Sequence, residues 1–162
     1  MLGGLSATCG DRTIARFQTR QTGLLLAYLA HFVGRTHSRE ALVELLWPEG
    51  DPESGRNRFR VALASLRRQL EPPGVQPNSV VRSDRSSVSL NADACEVDSA
   101  TFQRLVEGAS KSNDPSAVFQ LLFEADALFR GEFLHGWLNR VNDLEQFVDA
   151  SSSVAASAAV TA

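Results

Sequence analysis

The chain has 162 residues, of which 43% are hydrophobic and 22% charged, and its formal net charge at pH 7 is −3. This composition is typical of a globular protein, and the length allows one ordinary domain or two small ones. No apolar run reaches the roughly eighteen residues of a membrane span, and no secretion signal is recognisable at the start. Cys9 and Cys95 could form a disulfide or remain as two reduced thiols. We expect reduced thiols, as in a cytoplasmic protein.

The charge is divided unevenly along the chain. Residues 1–91 contain twelve Arg and eight Asp or Glu, a balance of +4, whereas residues 92–162 contain four Lys or Arg and eleven Asp or Glu, a balance of −7. Five of the arginines lie within residues 55–70. Such asymmetry is typical of a nucleic-acid-binding half that is joined to a different second half.

The chain begins with turn and cap signals that predict two strands and a helix. Residues 2–8 and 12–17 resemble short strands around a turn. Thr19 is a good N-cap for a helix that Gly34 should end. Because apolar residues surround the axis of this helix, we expect it to be central and buried.

A second helix is predicted over Arg39–Trp47, with Ser38 as its cap and Pro48 as its end. Its apolar residues should share one buried face, which consists of Ala41, Leu42, Leu45 and Leu46.

The third predicted helix runs from Pro52 to about Leu70, with Asp51 as its N-cap. The apolar residues of this segment follow helical spacing and form one stripe: Phe59, Leu63, Leu66 and Leu70. The segment that follows is rich in proline and cannot be helical, and residues 80–90 alternate and turn as a β-hairpin does.

The second half is predicted to be entirely helical. Asp98 is expected to cap one helix, Asp114 and Pro115 should begin another, and a third should begin near Asn142–Asp143. Adjacent helices of similar length favour an array of helical hairpins of tetratricopeptide type, which would be incomplete at residue 162. The change in character places one domain at 1–93 and a second at 96–162.

The arginine-rich helix has an outer face of suitable chemistry for nucleic acid. At about 100° per residue, Asn57, Val61, Ala64 and Arg68 point away from the apolar stripe, with Arg58 and Arg60 on opposite flanks. Small residues allow close approach, and guanidinium groups match phosphates and guanine edges. We expect base contacts from Asn57, Arg58 and Arg60, whereas the expected phosphate contacts come from Arg67, Arg68, Arg82 and Arg85. A solvated basic face is the alternative.

The order of these pieces resembles a known family. "LLWP" at 45–48, Arg56-Asn57 and "LRRQL" at 66–70 resemble the OmpR-type winged helix-turn-helix of the SARP regulators of actinomycete antibiotic pathways. "VDSATFQRLV" at 97–106 and "ALFRGEFLHGW" at 127–137 resemble the bacterial transcriptional activator domain that follows it in that family. One departure is Ser86-Ser87-Val88, where the family commonly has a Gly-Tyr-type step.

The resemblance has several implications. It implies four short strands before the first helix, where the residues themselves indicate two. It also implies that the loop Pro48–Asp51 faces RNA polymerase and that the helical half mediates self-association or control. The fold class would be an α+β winged helix-turn-helix followed by tetratricopeptide-like helical hairpins, and the partner would be double-stranded DNA.

Motifs of catalysis are missing from the sequence. It contains no Walker-type glycine loop, no nucleophile elbow and no HExxH motif. The three histidines, His31, His37 and His135, are scattered and are better explained as structural or surface residues than as metal ligands. We therefore expect no enzymatic activity, no metal and no cofactor.

Two functions from different classes remain open. The first, which we favour, is a sequence-specific DNA-binding transcription regulator, most simply an activator. The second is a helical-repeat module for protein interaction whose winged helix is a scaffold that does not bind DNA. Salt-dependent binding to DNA separates the two, because a scaffold would show neither affinity nor a salt slope.

Overall fold

The computed structural model describes residues 1–9, 11–131 and 134. In chain order these residues form β1 (Ala7–Cys9), β2 (Arg12–Ile14), α1 (Arg20–His31), β3 (His37–Ser38), α2 (Arg39–Leu46), α3 (Pro52–Leu70), β4 (Val81–Ser83), β5 (Ser87–Leu90), α4 (Asp98–Lys111) and α5 (Pro115–Leu128). About half of them are helical, and the strands form small antiparallel sheets, so the predicted α+β class is confirmed. Within these ranges no helix has the length and apolarity to cross a membrane.

Helix α1 is the centre of the first half, as predicted. The Oγ1 atom of Thr19 accepts a hydrogen bond from the N–H of Thr22 at 3.1 Å, so the predicted cap is confirmed. Leu25 and Leu29 are fully buried on this helix. The helix ends at His31, slightly before the predicted end, and Gly34 follows with φ +83, a conformation that favours glycine.

Helix α2 ends at Leu46, one residue before the predicted end, and its buried face differs from the predicted one. Leu42 and Val43 are buried, whereas Ala41 is exposed. The reason is the close approach of α3, since a Cβ on Gly55 would lie only 2.7 Å from Cγ1 of Val43. Glycine at that position lets α3 rest against Val43, and this contact determines which side of α2 faces inward.

Helix α3 packs against both α1 and α2. Asp51 caps it by accepting the N–H of Ser54 at 3.0 Å, and Pro52 is its first residue, both as predicted. The predicted apolar stripe is confirmed, with all four members buried: Phe59, Leu63, Leu66 and Leu70. Ala62 and Ser65 are buried beside the stripe, so the inward face is broader than a single row of residues.

The strands before α1 are shorter than predicted. Only Ala7–Cys9 and Arg12–Ile14 pair as strands among the described residues of this region, and Leu2 forms an isolated bridge. The four strands that the family resemblance implies are therefore not found there. Gly3 and Gly4 have φ +90 and +145, which takes them out of the extended region and ends pairing near Leu2.

The predicted hairpin at 80–90 is confirmed as β4 and β5, and a strand that the sequence did not indicate completes its sheet. This strand is β3, whose His37 pairs with Val88 of β5, so the strand order is β3-β5-β4. Two residues are too few to show an alternating pattern, which is why β3 was missed.

His37 is buried at 4% exposure, with its ring centroid 5.0 Å from that of Tyr28 and 5.5 Å from that of Phe32. Burial, with the nearby Arg35 guanidinium, lowers the pKa of His37 below its ordinary 6.5. Below pH 6.5 the unfolded chain therefore binds a proton that the folded chain does not, and folding stability falls as the pH is lowered. We expect the melting temperature to decline as the pH falls below about 6.5, and His37→Phe to flatten that decline.

Thermal denaturation at several pH values, for the native chain and His37→Phe, measures this effect. An undiminished decline in His37→Phe would assign the titration to another group.

The second half contains a helical hairpin. The ring centroids of Phe102 and Phe129 are 6.4 Å apart, and a Cβ on Gly108 would lie 3.5 Å from Cδ1 of Leu121, so α4 and α5 run in opposite directions. Helix α5 begins at Pro115, as predicted, and Asp114 caps it by accepting the N–H of Ser116 at 3.0 Å. The helix that the sequence predicts from Asn142–Asp143 lies outside the described residues, as does His135.

The predicted cap of α4 is wrong by one residue. Val97 occupies the N-cap position, and Asp98 is the first helical residue. The Asp98 carboxylate accepts the Leu2 N–H at 2.9 Å and also receives the amino group of Met1, so it ties the start of α4 to the start of the chain.

Packing continues across the predicted domain boundary. Val97 and Leu134 belong to the same hydrophobic core as Met1 and Leu5. The backbone N–H of Leu134 donates to the carbonyl of Met1 at 2.9 Å. The apolar core is therefore continuous across residues 93–96. That the two halves fold independently stays a prediction.

Candidate nucleic-acid interface

The outer face of α3 carries a row of exposed side chains, here called the ridge: Asn57, Val61, Ala64 and Arg68. These are the residues that a rotation of 100° per residue places opposite the apolar stripe. Val61 is 58% exposed although it lies between the buried residues Phe59 and Leu63. An exposed branched apolar residue contributes nothing to the core, so its position on the ridge is available for contact with a partner.

The ridge is flanked on one side by the Trp47 groove, of about 470 Å³, which is lined mainly by Gln18, Thr19, Gln21, Trp47, Arg58 and Val61. The start of α1 and the end of α2 form the wall that faces α3. Arg58 therefore faces the first turn of α1 across this groove, where the helix dipole favours anions.

On the other side is the Arg60 groove, of about 270 Å³, which is lined mainly by Arg39, Glu40, Arg56, Phe59, Arg60 and Arg85. Arg56 lies 3.8 Å from Glu40 in an exposed ion pair. Arg60 and Arg85 have no hydrogen bond or ion pair with any described residue. The groove thus brings two uncommitted guanidinium groups together from α3 and from the hairpin turn.

Arg67, for which the sequence predicts a phosphate contact, forms hydrogen bonds within the protein. Its Nη2 atom donates to the carbonyl of Val81 at 3.0 Å and to Oγ of Ser83 at 2.8 Å, and it also contacts Oδ1 of Asn78. This guanidinium therefore ties the end of α3 to β4. Its neighbour Arg68 is exposed on the ridge and has no such bond with the described part of the chain.

Glu71 forms a second link between the end of α3 and β4, which the sequence did not indicate. Its carboxylate accepts the N–H groups of Asn78 and Val80, each at 3.0 Å, and of Val81 at 2.8 Å. Burial alone raises the pKa of Glu71, but these donors and the Arg67 guanidinium outweigh burial and hold the pKa below its ordinary value. The spacing of Arg67 and Glu71, one helical turn apart, was the only sequence signal for this network.

The turn of the hairpin presents Arg85 to solvent. Asp84 folds back and accepts the backbone N–H groups of Ser86 at 2.8 Å and of Ser87 at 2.7 Å, and the hydroxyl of Ser87 at 2.6 Å. The bond from the Ser87 hydroxyl, with those from the backbone, lowers the pKa of Asp84 to about 2. A turn closed by its own aspartate leaves the intervening arginine pointing outward.

Arg39 and Arg82 complete the hairpin surface. Arg39 donates from Nη2 to Oγ of Ser83 at 3.2 Å, which joins the start of α2 to β4. Arg82 lies 3.9 Å from Asp93, and with side-chain exposures of 58% and 90% this pair contributes little to stability. Arg82 therefore remains an available cation beside the hairpin.

Side chains that could bind a metal are dispersed over the part of the chain that the structure describes. No group of three or more His, Cys, Asp or Glu residues is close enough there to hold a metal ion. Cys9 and Cys95 are both free thiols. The arginine-flanked ridge is the candidate site in the described residues.

Comparison of the chain with models of protein families found no match, and a search of curated proteins found none either.

Proposed function

We propose that this protein is a sequence-specific DNA-binding transcription regulator whose first half is a winged helix-turn-helix. The observation that carries the proposal is the exposed ridge of α3 between two arginine-lined grooves, with the Arg85 turn beside one of them. An α-helix fits the major groove of B-DNA, and a neighbouring hairpin can reach the phosphate backbone. In this proposal α2 and α3 form the helix-turn-helix, and residues 80–90 form the wing.

The local charge supports this proposal although the whole chain is acidic. The ridge and its flanks carry Arg58, Arg60, Arg68 and Arg85 without an internal ion pair in the described structure. DNA carries a dense negative charge, and arginines that replace its condensed cations gain affinity from the release of those cations. Glu40 is the one carboxylate among the lining residues of the two flanking grooves, and it lies close to Arg56.

A selection from a random duplex library, with the full chain, tests the proposal. Enrichment of a sequence motif, together with affinity that falls as salt rises, is the expected result. No affinity for any duplex at low salt would contradict the regulator and leave the scaffold alternative.

The wing makes a separate prediction. Arg85→Ala should weaken binding to the selected duplex and to a scrambled duplex by the same factor, and it should reduce the log–log salt slope by about one. Fluorescence anisotropy at several salt concentrations measures both quantities. Arg104→Ala is the matched control, because Arg104 is exposed on α4 and lines neither groove. A loss confined to the selected duplex would mean that Arg85 reads a base.

The second half supports a role in self-association. Phe119 and Phe123 of α5 are 71% and 66% exposed, and their rings stack with centroids 6.2 Å apart. Exposed aromatic patches of this kind mark protein–protein contacts. In our proposal residues 96–162 belong to a tetratricopeptide-like array through which copies of the chain associate. The same observation favours the alternative of a protein-interaction module without DNA binding.

A contact with RNA polymerase is part of the proposal. The loop Pro48–Asp51 between α2 and α3 is mostly exposed, and a groove of about 440 Å³ beside it is lined by Glu44, Trp47, Gly50 and Pro52 among others. Because this loop leads directly into α3, a protein bound there would sit next to the DNA. Activation would then follow from recruitment of the polymerase to the bound site.

A further inference from the structure

We propose that the ridge of α3 reads A·T base pairs, and that Arg58 and Arg60 bind phosphates on the two walls of the major groove instead of base edges. This inference rests on the proposed function and specifies which DNA sequence the protein prefers. It changes the role expected from sequence for the two arginines and leaves Asn57 as a base-reading residue.

The chemistry of the ridge favours A·T pairs. Its middle positions, Val61 and Ala64, carry no donor or acceptor, and Val61 is 58% exposed. In the major groove the apolar feature of a base pair is the C5 methyl group of thymine, which such side chains contact. Asn57 lies one turn before Val61 on the same ridge, and a carboxamide pairs with the N6 and N7 atoms of adenine.

The geometry of a helix in a groove places the two arginines against the walls. The major groove is about 12 Å wide and a helix with its side chains is about 10–12 Å across, so the flanks of the helix touch the sugar-phosphate walls. Arg58 follows Asn57 and Arg60 precedes Val61, so at 100° per residue they lie about 90° and about 70° from the centre of the ridge, on opposite sides. A ridge that points to the base edges therefore directs these guanidinium groups towards opposite strands.

The grooves beside the ridge have the composition of anion sites. Arg60 shares its groove with Arg85, and the nearby Glu40 already lies 3.8 Å from Arg56. Two like charges in one small groove repel each other until an anion lies between them. Arg58 lines its groove together with Thr19 and Gln21, whose polar side chains can share a phosphate with it.

The first experiment uses the full chain and the duplex selected above, in which each thymine is replaced in turn by deoxyuridine. This replacement removes only the C5 methyl group. We expect an affinity loss of about fourfold at one or two positions, which corresponds to one buried methyl group. Val61→Ala should abolish this sensitivity at one of them, whereas Val75→Ala, an exposed valine outside α3, should retain it.

The second experiment measures Arg58→Ala and Arg60→Ala on selected and scrambled duplexes over a range of salt. Each variant should lose the same factor on both duplexes, and each salt slope should fall by about one. A larger loss on the selected duplex would make that arginine a base reader and overturn its assignment. A selected motif without A·T pairs, or one insensitive to deoxyuridine, would overturn the A·T reading while DNA binding stands. No binding to any duplex would overturn the proposed function itself.

Discussion

Replacement of Leu66 by Ala is expected to lower the free energy of unfolding by about 2–5 kcal/mol. Leu66 is fully buried, and it lies on the inward face of α3 that packs against α1 and α2. The substitution removes the apolar contacts of the side chain and leaves a cavity that the surrounding helices can fill only in part. The buried stripe and the ridge are opposite faces of α3. The lost stability therefore falls on the helix that carries the proposed site.

Urea denaturation followed by circular dichroism measures the effect, and the midpoint should fall without a change in slope. Leu122→Ala is the matched control, because Leu122 is 47% exposed on α5 and its truncation should cost little. DNA affinity of the protein that remains folded should be unchanged, since Leu66 points away from the ridge. A loss below about 1 kcal/mol would contradict the central position of α3.

Replacement of Arg67 by Met is expected to cost about 1–3 kcal/mol of stability, because the oxygen atoms of Val81 and Ser83 lose their donor while partly buried. DNA binding should weaken as well, since the wing is no longer held against α3. The salt slope should stay unchanged, because the Arg67 guanidinium is bonded within the protein through Nη2.

Arg68→Met provides the internal comparison, because Arg68 is the next residue in the chain and is exposed. It should leave stability within about 0.5 kcal/mol of the native value and reduce the salt slope by about one. The reverse pattern, with a lower slope and native stability for Arg67→Met, would restore the phosphate contact that the sequence predicts for Arg67.

The features that could be predicted from sequence are those with local causes. Thr19, Ser38 and Asp51 were correctly identified as helix caps, since a cap depends on a side chain and a backbone N–H only a few residues away. The ridge was also predictable, because the apolar stripe of α3 determines which residues lie on the opposite face. The rotation of 100° per residue along α3 is enough to find that face, without knowledge of the neighbouring elements.

The features that were missed depend on contacts between distant segments. The inward side of α2 follows from the approach of Gly55 to Val43, and the position of Asp98 follows from the start of the chain. In the sequence Arg67 resembled a surface arginine, because its hydrogen-bond partners lie on β4, more than ten residues further along the chain. The two grooves could not be predicted either, since each is closed by an element remote from α3 in sequence.

The two faces of α3 have different chemistry, and this separation matters for evolution after gene duplication. Substitutions at Asn57, Val61 or Ala64 leave the buried stripe intact, so drift at these positions does not reduce folding. In the proposed regulator the flanking arginines and the tied hairpin would supply attraction to any duplex, so an intermediate with altered base preference would still occupy chromosomal DNA. A duplicated copy could thus acquire new target genes in single steps, without first passing through an unfolded or unbound form.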